Sequence, residues 1–213
     1  MTSDLLKVPL FAGLALWTGL AIPYVRLALE TRLTTHVLIE LLGLAVAGYL
    51  IGIGLRPALA PGLRSWNRFG LSGLAMAICC GAVWMLPRWL DASLESSSVE
   101  AAKFASLPLL LGLPLALSWP ELGTIMRGFV KTNFLSMLLF FGWLYIASPV
   151  RLCNSYLIDD QTMLGVSFIA IAGLLSLLWA VPLFIGRGFA DQAAPDRTTQ
   201  ITKDKNYAVR SID

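Results

Sequence analysis

From residue 162 to residue 185 the chain reads TMLGVSFIAIAGLLSLLWAVPLFI, without one charged side chain. About 20 consecutive apolar residues in a helix cross the hydrocarbon core of a bilayer. Lipid offers no hydrogen bonds, so every backbone N–H and C=O there must be satisfied within a helix or a closed barrel. The run has no strict two-residue alternation, and it predicts a helix. Five further apolar runs precede it. The predicted spans cover residues 8–29, 36–55, 67–86, 103–119, 125–147 and 162–185.

The chain as a whole agrees. It has 213 residues, 57% of them hydrophobic and 14% charged, where soluble domains carry about 25% charged residues. The expected fold class is all-α: a polytopic integral membrane protein, a bundle of about six transmembrane helices. Its transmembrane domain covers residues 1–186. Residues 187–213 are polar (DQAAPDRTTQITKDKN lies within them) and read as a flexible cytoplasmic tail. The first apolar run lacks a clear A-x-A cleavage site and is kept as a spanning helix. The net charge of +3 arises from basic residues near helix ends, which argues for topology and against nucleic-acid binding.

Lys and Arg set the expected orientation. With the N-terminus inside, Lys7, Arg56, Arg64, Arg68, Arg127, Lys131 and the tail cations are cytoplasmic. Arg26, Arg32, Arg88, Lys103 and Arg151 face outward. Both termini are then expected on the cytoplasmic side of a bacterial inner membrane. The outer face holds the one histidine, His36, and the polar stretch PVRLCNSYLIDDQTMLG at 149–165.

Chemistry is sparse. No G-x-S-x-G or H-E-x-x-H pattern is present, so no enzyme is expected. His36 and Glu40 are four residues apart and share a helical face. An ionisable side chain inside a span is costly unless it is paired or wet. Soft Cys and Met donors suit Cu(I), and imidazole suits several metals. The candidate metal set is therefore His36, Glu40, Cys153 and Met163, with Glu40 orienting the imidazole. Arg151, Asn154, Asp160 and Gln161 are expected to shape the pocket. Asp160 is a candidate helix cap, and Arg151 a candidate partner of Asp159, Asp160 or Asp91. Thr34 or Thr35 is a candidate cap of the second span. Trp84, Trp89, Trp143 and Tyr145 read as interfacial anchors. The segment WLDASLESSSVEAA reads as a short surface helix, and Pro108 and Pro114 as bends. Gly48-x-x-x-Gly52 suits close helix packing. Cys79 and Cys80 read as small apolar packers.

The last third resembles the CtaG-type cytochrome c oxidase assembly factors, through a D-Q-x-x-x-G signature opening a late span. Here that signature is Asp160-Gln161-Thr162-Met163-Leu164-Gly165. Those proteins also tend to carry H-x-x-x-H near the start of an earlier span, where this chain has His36-Val37-Leu38-Ile39-Glu40. The resemblance implies a membrane accessory factor that helps assemble a respiratory or copper-containing enzyme. Its partners would be the lipid bilayer and a subunit such as that of a terminal oxidase, with copper as its metal. The alternatives are a small channel or transporter, built on Glu40 and a bent fourth span, and a structural subunit of a larger membrane complex.

Overall fold

The computed structural model describes residues 2–63 and 65–184. The tail expected at 187–213, and the inner charge Arg64, lie outside the described residues. The chain divides into two compact units, 1–169 and 170–213.

The described residues form helices joined by short turns, with no strand among them. The helices are α1 (Thr2–Leu20), α2 (Pro23–Leu29), α3 (Leu33–Leu63), α4 (Leu71–Trp84), α5 (Pro87–Glu95), α6 (Ser97–Ser118), α7 (Thr124–Ala147) and α8 (Ile158–Phe184). Four of them, α3, α6, α7 and α8, are each long and apolar enough to cross a membrane. Leu6–Leu20 of α1 with α2, and α4 with α5, are long and apolar enough when taken as pairs, and the pairs bend by 74° and 69°. Six spans follow if each bent pair crosses once. Both bends have the same cause. Pro23 and Pro87 sit at the first position of the second helix, where the missing N–H costs nothing. The residue before a proline is pushed out of helical geometry, and Ile22 and Leu86 are extended.

Helix α3 is the central element, packed against α1 on one side and α6 on the other, while α4 packs on α6. Two turns are wider than α-helical: His36–Leu41 in α3 and Leu107–Gly112 in α6 are π-helical. Such turns often mark functional sites. In α6 the cause is visible. Pro108 has no N–H to offer the carbonyl of Phe104, and the Trp17 indole of α1 donates to that carbonyl at 3.0 Å instead. The expected bend at Pro108 is thus a widened turn whose freed acceptor is satisfied from a neighbouring helix.

Several boundaries differ from expectation. The fourth span begins at Ser97, six residues before Lys103, so Lys103 lies inside a helix and not at its flank. The segment 89–102, expected as one short surface helix, is divided: its first part lies in α5 (Pro87–Glu95), where Leu90, Asp91 and Ser93 are buried, and its second part opens α6 at Ser97. Trp84 is no interfacial anchor: it is buried and donates to Ser106 Oγ at 2.8 Å. Tyr145 is also buried, whereas Trp89 and Trp143 are exposed. At the opposite end of α3, the Asn67 carboxamide oxygen accepts from Gly73 N in the first turn of α4 and its nitrogen donates to Ser118, tying α4 to α6.

Candidate functional site: a buried ionic cluster

The second span needs a partner for Glu40, and α6 supplies it. Lys103, His36 and Glu40 each have 0% exposure. Lys103 Nζ is 2.6 Å from Glu40 Oε1, 3.1 Å from Glu30 Oε1 and 3.2 Å from His36 Nε2. An ammonium has three donors and no acceptor, and three acceptors surround it. Glu30 also lies 3.8 Å from Arg26, which pairs with Glu100 at 2.6 Å. Three helices, α2, α3 and α6, meet in one knot only because opposite charges cancel there; a lone buried charge would be expelled or neutralised.

The histidine tautomer follows from its neighbours. Tyr156 Oη donates to the Glu30 carbonyl at 3.0 Å. It must then accept at its other contact, 2.8 Å from His36 Nδ1. Nδ1 therefore carries the hydrogen, and Nε2 presents its lone pair to Lys103. The imidazole is neutral and fixed on both nitrogens. Burial, with the Glu30 and Glu40 carboxylates nearby, pushes the Tyr156 phenol above its ordinary range. Glu40 is less fully satisfied. Its Oε1 contact with Lys103 is close but lacks hydrogen-bond alignment, and Oε2, 4.0 Å from His36 Nε2, has no hydrogen-bond partner among the described residues.

The 148–157 loop closes this end of the bundle. Asp91 of α5 accepts the backbone N–H of Asn154 at 2.8 Å and of Ser155 at 3.3 Å. Gln161 accepts the Leu152 N–H at 2.8 Å and donates to the Tyr145 carbonyl at 3.1 Å. Gly165 faces Gly142: a Cβ at Gly165 would stand 2.8 Å from the Gly142 carbonyl oxygen. Gln161 and Gly165 of the D-Q-x-x-x-G signature therefore hold the loop and the α7–α8 contact.

The structure brings together only part of the expected set. His36 and Glu40 meet, and with Glu30 they place ligand atoms within 4.8 Å of one another. Cys153 is outside that group, buried against the Tyr145 hydroxyl with the Asp91 carboxylate nearby. Met163 is 51% exposed on α8. Gln161 shapes the loop as expected. Asn154 contributes its backbone while its side chain is exposed, and Asp160 sits beside Asp159 in the first turn of α8. Arg151 is exposed and has no ion pair among the described residues; backbone N–H groups occupy Asp91 in its place. No threonine side chain caps α3, which starts at Leu33; the Thr35 hydroxyl donates back to the Leu29 and Arg32 carbonyls. Cys80 donates weakly to the Ser106 carbonyl, and Cys79, Cys80 and Cys153 are all free thiols. Lys103, Glu30 and Tyr156 are the residues that sequence reading left out of the site.

Burial, reinforced by the Asp91 charge, pushes the Cys153 thiol from an ordinary value near 9 up to about 12. The thiolate is the reactive form, so native protein should leave Cys153 unalkylated by iodoacetamide at pH 8 and expose it on unfolding. The sign of the pH dependence follows. The folded state keeps a proton that the unfolded chain releases near pH 9, so this group's stabilising contribution is full below that pH and lost as pH rises toward 12. Rapid native alkylation at pH 8 contradicts the buried placement.

These features define an all-helical protein of the membrane-spanning type with a charged cluster buried at one end of its helices. No protein-family model, curated protein or solved structure matches the chain.

Proposed function

We propose that this chain is an accessory protein of a bacterial inner membrane, with both termini cytoplasmic, that assists assembly of a larger respiratory or copper-containing membrane enzyme such as a terminal oxidase. The observation that carries the reading is the rigid polar end. The Lys103 cluster, the Asp91 clamp and the Gln161 brace fix α2, α3, α5, α6 and the 148–157 loop to one another. A preorganised surface lowers the cost of binding a partner. The signature residues Gln161 and Gly165 support the same reading, because they build that end.

Copper does not fit the cluster as it stands. The ammonium of Lys103 occupies the middle of the Glu30–His36–Glu40 set, and the soft donors Cys153 and Met163 stand apart from it. The proposed assistance is therefore by docking, with no step through a metal held at this site.

The test is native purification of the tagged chain from its own membranes, followed by identification of co-purifying subunits, together with oxidase content in a deletion strain. Recovery with oxidase subunits and reduced assembled oxidase are expected. Recovery without them, with unchanged oxidase content, overturns the proposal. One observation favours a second reading, a proton pathway: the buried Glu40 Oε2 has no hydrogen-bond partner among the described residues. Proton flux into liposomes that Glu40→Gln abolishes would select it. Under the first reading, proteoliposomes leak no faster than empty ones.

A further inference from the structure

Glu30, His36 and Glu40 form a borderline nitrogen-and-oxygen donor set, gathered within 4.8 Å. Zn(II) bonds to such donors are about 2.0–2.2 Å, so donors around one ion lie roughly 3–4.4 Å apart. The set is close to that geometry already. What stands among the donors is Lys103 Nζ, at 2.6 Å, 3.1 Å and 3.2 Å from its three acceptors.

We infer that Glu30, His36 and Glu40 are a divalent-cation site whose cation is the chain's own tethered ammonium, and that removal of Lys103 opens it to Zn(II) or Co(II). This goes beyond the proposed function and does not depend on the identity of any partner.

Three further observations carry it. The first is orientation. His36 donates through Nδ1 to Tyr156, whose own proton goes to the Glu30 carbonyl. Its Nε2 lone pair thus faces inward, as in a metal-ligating histidine held by an outer hydrogen-bond partner. The second is charge. One ammonium faces two carboxylates, and the additional guanidinium of Arg26 is shared between Glu30 and Glu100. A divalent ion in place of the ammonium would balance both carboxylates outright. The third is the spare acceptor. Glu40 Oε2 is buried, without a hydrogen-bond partner among the described residues, and 4.0 Å from His36 Nε2. It is a ligand atom that the ammonium does not use. The donor types select the ion class: one imidazole and two carboxylates suit Zn(II) or Co(II), whereas Cu(I) prefers thiolate and thioether.

The experiment uses the full chain in detergent and compares wild type, Lys103→Ala and Lys103→Ala/His36→Ala. Co(II) is followed by its visible absorption, and Zn(II) by competition with a chelating dye. Wild type should bind neither ion at this site. Lys103→Ala should bind one Co(II) per chain with the intense bands of low coordination number, and Zn(II) should displace it. Lys103→Ala/His36→Ala should lose that binding. Because Lys103→Ala leaves two carboxylates without their cation, it is also prepared with Zn(II) and with propylamine, whose ammonium can refill the vacated space. Folding that depends on Zn(II), or metal uptake by the protein folded with propylamine, supports the inference. Stoichiometric, His36-dependent metal binding by wild type overturns it. So does a Lys103→Ala protein that takes up no metal, whether it folds unaided, with propylamine or under no condition.

Discussion

Lys103→Met is expected to cost about 3–5 kcal/mol of stability, the usual penalty for removing one partner of a buried ion pair. Methionine keeps most of the volume and all of the apolar stem of Lys103. What it removes is the one positive charge among the described residues that pairs with both Glu30 and Glu40. Glu40 cannot turn to water, since it has 0% exposure and sits in a helix with the length of a span. The double variant Lys103→Met/Glu40→Gln removes one charge of each sign. It should recover a large part of the loss, because a matched neutral pair is far less costly than an orphaned charge. Equilibrium unfolding of the purified variants in mixed detergent micelles reads both values, and the non-additivity gives the coupling between the two residues. A single Lys103→Met variant within about 1 kcal/mol of wild type would place the pair among ordinary exposed ion pairs and remove the cluster from its central role.

The helices were legible because the bilayer imposes length and apolarity on each span, and both can be counted along the chain. The last span, in α8, follows directly from the uncharged run 162–185. The α1–α2 bend was not legible, although Pro23 marked its position, since a proline at the first turn of a helix and a proline inside one look alike in sequence; at Pro87 the end of a span and a short helix after it were expected. The site was half legible. A carboxylate at Glu40, inside a span and one turn from His36, demanded a partner. Lys103 was misplaced as an outer flanking charge because the α6 boundary was drawn there; the helix in fact starts at Ser97. Moving that boundary by six residues carries Lys103 from the flank into the protein interior. The apolar face after it and Glu100 three residues before it were the available signals, since residues three apart share a helical face. Cys153 drew attention by its chemistry, but tertiary packing set it against Tyr145 and Asp91. No pattern in one sequence specifies which of several loop residues a buried carboxylate will face.

Gly48→Leu is expected to destabilise the protein by about 3 kcal/mol or more, at or above the upper part of the range for overpacked cores. A Cβ at Gly48 would lie 2.1 Å from the Pro108 carbonyl oxygen, and one at Gly112 would lie 2.2 Å from the Ala45 carbonyl oxygen. These are backbone atoms, so no rotamer change makes room, and α3 must move away from α6. Gly112→Leu should act alike. Gly19→Ala and Gly128→Ala, where a Cβ meets nothing within 4 Å, should be neutral or stabilising by up to about 1 kcal/mol, since alanine is the better helix former. Equal effects at all four glycines would mean that close approach is not their role. The consequence reaches the ionic cluster. Gly48 and Pro108 lie on the same two helices as Glu40 and Lys103, eight and five residues further along. Separation of α3 from α6 at the glycine contact pulls the ammonium away from its carboxylates. Gly48→Leu and Lys103→Met should therefore be strongly non-additive, the double variant losing less than the sum of the two. Additive losses would show that the small-residue contact and the charged cluster stabilise α3 against α6 independently.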